Sequence, residues 1–239
     1  MSNVFHSLSE QKVVILGGNS GIGAGVAFAA LEKGAEVFLA SRRAGHQQSQ
    51  STRLHYLQAD ITQASSLQTL FAEVGHFDHL VVTAGPDVKA KSLAETSLDD
   101  ARMNFEVKFW GALQAVQLAL PHLAEKGSIT LTSGLLSRKF VAGQIIKTTL
   151  NAALEASGKL LAKELAPRRV NVVSPGVTAT EAYDAMSSEQ RQAMFDRVGA
   201  GLPVGRVGQP ADLASAYLLL MENGFMTGTV IDVDGGGLL

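Results

Sequence analysis

Val13-Val14-Ile15-Leu16-Gly17-Gly18-Asn19-Ser20-Gly21-Ile22-Gly23 is the stretch from which the rest of the chain can be read. Its four leading apolar residues, three of them β-branched, have the character of a short buried strand. A glycine-rich turn follows, and then Ala24 to Leu31, rich in helix formers with Gly25 its one breaker. Strand, glycine turn and helix are the context of a dinucleotide-binding turn. Gly17 permits the tight exit from the strand, Gly21 lets backbone N–H groups approach a diphosphate, and Gly23 lets the helix lie close on the strand. The helix then presents its positive N-terminal end to the phosphates. The spacing is G-x-x-x-G-x-G, not G-x-G-x-x-G. A flexible loop is the alternative reading, and the flanking strand and helix weigh against it.

Moving outward, Ala35 to Ala40 forms a second strand closed by Ser41-Arg42-Arg43. About 20 residues past such a turn, an NAD site carries a carboxylate for the ribose 2′-hydroxyl. This chain has none there. The forked donors of Arg42 and Arg43 suit a 2′-phosphate instead, so NADP(H) is the expected cofactor; a solvated surface pair is the plainer alternative. Leu54 to Ala59 is a third strand. Asp60-Ile61-Thr62 opens a helix to about Val74 with Thr62 as its N-cap. His79 to Val82 is a fourth strand, ending in Thr83-Ala84-Gly85-Pro86. A long helix from Leu98 to Leu123, a strand from Ser128 to Thr132, a helix from Gln144 to Ala166 and a strand from Arg169 to Val173 follow. Thr178 to Gly201 is polar and partly helical, an inserted lid over a small-molecule substrate. A helix from Ala211 to Met221 and a strand from Val230 to Val233 complete the pattern. Strands alternating with helices about seven times predict a parallel sheet covered on both faces, in one domain over 1–239.

Composition narrows the function. The chain has 239 residues, no cysteine and a formal net charge of −2. Disulfides, thiolate metal sites and cysteine nucleophiles are excluded, and no basic tract suggests nucleic acid. Met1 to Lys12 lacks the apolar core of a signal peptide, and no apolar run approaches the roughly 20 residues of a membrane span. A cytoplasmic protein with no membrane or nucleic-acid partner is expected. The six histidines are scattered without metal spacing, so no metal is expected.

Several stretches together resemble the short-chain dehydrogenase/reductase family. They are the glycine turn, Asp60-Ile61, Thr83-Ala84-Gly85, Asn171 with Ser174-Pro175-Gly176, Thr180, Pro203 with Gly205-Arg206-Val207-Gly208, and Thr227-Gly228 with Val233-Asp234-Gly235-Gly236. They run in the family's order along nearly the whole chain. The resemblance implies a Rossmann-type doubly wound α/β fold, a nicotinamide cofactor and a homo-oligomer, often a tetramer. Carried over, it assigns Gly17, Asn19, Ser20, Ile22 and Gly23 to the cofactor turn and Asp60-Ile61 to the adenine edge. Ala84 and Gly85 fall on the wall after the fourth strand, and Pro175, Gly176, Val177 and Thr180 on the nicotinamide-holding segment.

The proton-transfer positions depart from that pattern. The family uses a tyrosine in Tyr-x-x-x-Lys. The three tyrosines, Tyr56, Tyr183 and Tyr217, are followed four residues on by Asp60, Ser187 and Met221. Aligning Asn151-Ala152-Ala153-Leu154 with the family's Lys-Ala-Ala-Leu puts Lys147 in the tyrosine position and Asn151 in the lysine position. Val107-Lys108-Phe109-Trp110-Gly111 puts Lys108 where the family has an asparagine, with Asn104 one turn earlier as a possible substitute. Ser133 matches the family's serine. Lys147 and Asn151, four apart on a helix, share one face. Two functions compete. In an atypical reductase Lys147 is the acid, lowered toward neutrality by burial and by a second cation, Lys108 or the oxidised nicotinamide, Ser133 bonds the substrate oxygen, and Asn151 or Asn104 positions water. Alternatively, the chain is a cofactor-binding sensor or scaffold without turnover. Tyr183 in the lid is a third source of an acid. Ser137-Arg138-Lys139 borders the pocket or is a surface charge group. Phe105, Phe109 and Trp110 are core or subunit interface.

Overall fold

A computed structural model describes residues 7–42, 51–86 and 88–239. Seven parallel strands form one sheet in the order β3-β2-β1-β4-β5-β6-β7. They are β1 (Lys12–Leu16), β2 (Glu36–Ser41), β3 (Leu54–Gln58), β4 (Phe77–Val82), β5 (Leu123–Thr132), β6 (Arg169–Pro175) and β7 (Val230–Val233). The order reverses between β1 and β4, which opens a crevice outside the carboxyl ends of these strands. The helices are α1 (Gly21–Glu32), α2 (Ala64–Val74), α3 (Leu98–Phe105), α4 (Gly111–Ala119), α5 (Ile145–Glu164), α6 (Ser188–Ala200) and α7 (Pro210–Glu222).

The central strands are buried on both faces, and their side chains alternate between two cores. Val14 and Leu16 of β1 pack in a core with Leu67 and Phe71 of α2, Ala115 and Val116 of α4, and Leu154 of α5. Val13 and Ile15 point the other way, into a core with Val26 and Ala30 of α1 and Leu213 and Tyr217 of α7. Period-two alternation of uniformly apolar residues places a strand between two helical layers, as the four-residue opening run predicts.

Two elements differ from the sequence reading. The helix expected to start at Asp60 starts at Ala64, because the Asp60 carboxylate accepts from the Thr62 backbone N–H (2.9 Å) and hydroxyl (2.8 Å). This local turn competes with the capping role expected of Thr62. The long helix expected from Leu98 to Leu123 is three pieces. After α3 a wide π-helical turn spans Glu106–Trp110, α4 ends at Ala119, and β5 begins at Leu123. Such wide turns insert a residue into the helical ladder and recur at functional sites; Lys108 sits at the centre of this one.

Candidate active site

The glycine turn closes onto the ends of the first and fourth strands. A Cβ on Gly23 would lie 2.4 Å from the Gly17 carbonyl oxygen, and one on Gly17, at φ +92°, 2.5 Å from the Ala84 nitrogen. Neither contact is tolerable, so these two positions require glycine. The Thr83 hydroxyl donates to the carbonyls of Leu16 and Gly17 at 3.2 and 3.1 Å, tying the β4 exit to the turn. Gly21, the first residue of α1, donates its N–H to a Glu181 carboxylate oxygen at 2.7 Å. The turn therefore accommodates an anionic oxygen on an N–H that the helix leaves unpaired. The same contact lays Thr180 on Gly21, with the threonine methyl 3.2 Å from where a Cβ would stand.

The other sequence-predicted cofactor residues lie at carboxyl strand ends: Ser41 and Arg42 at β2, Asp60 and Ile61 past β3, Ala84 and Gly85 past β4, Pro175 to Val177 at β6. Arg43 lies outside the described residues. The Thr62 hydrogen bonds hold the Asp60 carboxyl below its ordinary range, with the charge of Arg42 acting in the same sense. The Ile61 side chain is buried and packs on Gly111, while the Gln114 amide donates to the Ile61 carbonyl at 3.0 Å. Ile61 thus braces the start of α4 against the strand end.

Across the crevice, polar side chains from the π turn, the β5 end and α5 converge. The Lys108 ammonium donates to the Asn151 Oδ1 at 2.7 Å and to the Ser133 carbonyl at 3.0 Å. These bonds use two of its three donors. Burial pushes the Lys108 ammonium down to about 8, and the Lys147 cation pushes the same way. Lys108, Ser133 and Asn151 are in direct contact, and Lys147 lies within their electrostatic reach. The Lys108 chain also passes the Gly85 position, its Cδ 3.8 Å from where a Cβ would be.

A family model described as enoyl-(acyl carrier protein) reductase matches residues 17–237. Over 248 residues the chain is 35% identical to the short-chain dehydrogenase/reductase ATR9 of Stachybotrys chlorohalonatus, covering 96% of this chain and 97% of that protein. The chain belongs to the short-chain dehydrogenase/reductase family. The L-fucose dehydrogenase of Mus musculus is 34% identical over 97% of this chain and 89% of its own length. Among solved structures, a small-chain dehydrogenase in complex with NADPH superposes with a TM-score of 0.87 at 46% identity, covering 96% of this chain and 99% of that one.

Within this short-chain dehydrogenase/reductase, Ser133 has a partner that the sequence reading missed. Its hydroxyl donates to a Glu155 carboxylate oxygen at 2.9 Å, and the Ser137 hydroxyl donates to the same oxygen at 2.6 Å. Arg138 Nε lies 3.3 Å from the other oxygen of Glu155, and its guanidinium also pairs with Asp232 of β7. A hydroxyl has one hydrogen. With that hydrogen on Glu155, the Ser133 oxygen keeps its lone pairs for a further hydrogen bond. Ser137 and Arg138 are likewise committed to Glu155, and the Lys139 ammonium donates to the Gly237 carbonyl at 2.7 Å. Spacing could have shown Glu155, because 147, 151 and 155 repeat every four residues along one face of α5. The Tyr183 ring packs edge-on against Phe195 at 5.4 Å, inside the 178–201 segment. Among the described residues no helix is long and apolar enough to cross a membrane, and no three His, Cys, Asp or Glu side chains group as metal ligands.

Proposed function

We propose that the protein is an NADP(H)-dependent oxidoreductase that interconverts a carbonyl and an alcohol, with Lys147 in place of the usual phenol as the proton-transferring group. One observation carries the reading. The buried Lys108 ammonium, held by Asn151 and the Ser133 carbonyl, sits at the crevice wall within electrostatic reach of Lys147. The cofactor fits the glycine cradle: two positions exclude any side chain, and the Gly21 N–H already takes an anionic oxygen. Bound there, the nicotinamide supplies or accepts hydride at the substrate carbon. Asn19, Ser20, Gly21 and Ile22 hold the diphosphate. Ser41, Arg42 and Arg43 receive the 2′-phosphate, and Asp60 and Ile61 border the adenine. Ala84, Gly85, Pro175, Gly176, Val177 and Thr180 frame the nicotinamide.

The chain's own residues then handle the proton. In reduction, Lys147 gives a proton to the carbonyl oxygen as the carbon gains hydride, yielding the alcohol and oxidised cofactor. Lys108 places a second cation within electrostatic reach of Lys147. Asn151 fixes Lys108, and Ser133, its hydrogen on Glu155, accepts from Lys147 or from the alcohol. Residues 178–201, with α6, form the substrate lid. The enzyme is a cytoplasmic homo-oligomer. Exposed apolar side chains support that assembly: Met103 on α3, Trp110 on the π turn and Leu160 on α5 are 61%, 54% and 56% exposed.

The test is NADPH consumption by the full chain across a broad carbonyl panel, with NADPH and NADH affinities read by nicotinamide fluorescence. Lys147→Ala should lower turnover at least about 100-fold, the usual scale of general acid catalysis, while NADPH affinity stays within a few-fold. Unchanged turnover in that variant overturns the assignment, and equal affinities for the two coenzymes overturn the 2′-phosphate site. The commitment of the Ser133 hydrogen to Glu155 favours a second reading, a cofactor-binding sensor or scaffold. Tight NADPH binding without consumption on any panel member would select it.

A further inference from the structure

Neutral oxygens hold the Lys108 ammonium. It donates to the Asn151 Oδ1 at 2.7 Å and to the Ser133 carbonyl at 3.0 Å. Among the described residues no carboxylate pairs with it. The charge that acts on it is another cation, Lys147. A buried lysine that works as a cation is answered by an anion, because an uncompensated charge is costly to desolvate. Here burial and the like charge push the ammonium down to about 8, so roughly one molecule in ten carries the free amine at pH 7.

The geometry suits that free amine. An ammonium has three hydrogens, of which the two acceptors take two. A neutral amine has two hydrogens, and the same acceptors take both. Loss of the third proton breaks neither bond and leaves a lone pair at the position the proton held.

Both acceptors are fixed in place. Asn151 is buried, and its amide nitrogen lies 2.9 Å from where a Cβ on Gly134 would stand. The Ser133 N–H donates to the Val173 carbonyl at 2.9 Å, which ties this backbone to β6. The lysine itself runs beside open space. Apart from its chain neighbours, a Cβ on Gly85 would meet only the Lys108 Cδ within 4 Å, at 3.8 Å, among the described residues. Lys108 as a residue is only partly buried.

We propose that Lys108 is a covalent carbonyl-capture site, whose amine condenses with a small aldehyde or ketone to form an imine. The lone pair attacks the carbonyl carbon and forms the C–N bond. The C–O bond then breaks, and the oxygen leaves as water with one hydrogen from the nitrogen and one proton from solvent. The iminium that remains keeps one N–H for one of the two acceptors. Nothing is oxidised or reduced, and water reverses the step. This activity is distinct from hydride transfer and belongs to a different lysine from the proposed acid, Lys147.

The test is incubation of the full chain, free of coenzyme, with acetaldehyde and sodium cyanoborohydride at pH 7. The hydride reduces the iminium to N-ethyl-lysine, and peptide mapping by mass spectrometry locates it. Lys108 should be labelled at least about ten-fold faster than the exposed Lys159, because far more of it carries a free amine. Lys108→Arg keeps a cation without a nucleophilic amine; that site should lose its label while the slow background on exposed lysines remains. Labelling of Lys108 no faster than Lys159, label on Lys147 in its place, or no lysine label overturns the proposal. The wild-type map decides it even if Lys108→Arg does not fold. Because no coenzyme takes part, failure of the trap leaves the oxidoreductase reading standing, and failure of NADPH binding leaves the capture site standing.

Discussion

The two walls of the crevice are built from different material. On the β1–α1 side the structure is backbone: glycines with no room for a Cβ, a helix end, and a threonine hydroxyl stitching two strand exits together. On the α5 side it is side chain: Lys108, Asn151, Ser133 and Glu155, tied together by hydrogen bonds. In the proposed reading the first wall keeps the family pattern and the second rearranges it. A backbone site tolerates almost no variation, because any side chain at Gly17 or Gly23 collides with main-chain atoms. A side-chain site can exchange partners if charge and hydrogen bonds still balance, as in the proposed exchange of lysine and asparagine between the π turn and α5. What differs between the walls is how each fails when changed.

The harshest way to probe the contrast is at Gly23. Valine there drives a side chain into the Gly17 carbonyl and the Gly18 Cα, 2.4 and 2.8 Å from the Cβ position. NADPH binding should fall by more than 100-fold, and stability by several kcal/mol, the scale of severe overpacking. Fluorescence titration and denaturant melts read both. Retained binding would show the turn to be softer than its contacts require.

Next is the exchange itself. Asn151→Lys brings a second ammonium to the group that Lys108 contacts at 2.7 Å. Two buried like charges should cost about 3–5 kcal/mol, as for a buried charge stripped of its partner. Adding Lys108→Asn reverses the two residues and should recover most of that loss, a coupling that a double-mutant cycle measures in denaturant melts. Additive losses would mean that the two positions do not form one unit.

A gentler probe is the pH dependence of stability. Burial and Lys147 lower the Lys108 ammonium to about 8 from an unfolded value of 10.5. Between those values the unfolded chain binds more protons at this site than the folded chain, so stability rises with pH there. Relative to Lys108→Met, which lacks the titrating group, the wild-type chain should gain up to roughly 3 kcal/mol across that window. Parallel stability curves for the two proteins would place Lys108 outside the buried cluster.

The smallest effect is expected where the walls' lid reaches the turn. Glu181 occupies the Gly21 N–H at 2.7 Å, so its carboxylate competes with a diphosphate for that donor. Glu181→Gln should tighten NADPH binding by roughly two- to ten-fold, an effect of about 1 kcal/mol of the size charges have at helix ends. Weaker binding would mean that Glu181 assists the cofactor.

The same contrast governs how much could be read from the residues alone. The parallel sheet was legible because its buried strands are unbroken apolar runs, such as Val13 to Leu16, punctuated by glycines. The glycine wall was legible because backbone proximity demands one residue type. The break at Lys108 was not, since a π turn needs no proline or glycine within it. Thr62 misled because an aspartate two residues back competes for the hydrogen bonds that helix capping would use. Lys108, Ser133 and Asn151 could be named from alignment of short motifs. The direction of the Ser133 hydrogen could not, because it depends on a carboxylate 22 residues away, Glu155, brought in by the packing of α5 on the β5 exit.

A crystal structure of the full chain with NADPH bound tests the exchange of phenol for amine most directly. The account predicts the diphosphate on the glycine turn and the Lys147 ammonium beside the nicotinamide C4 face, about 3 Å from where a substrate oxygen would lie. A bound nicotinamide with Lys147 turned away into solvent would contradict it.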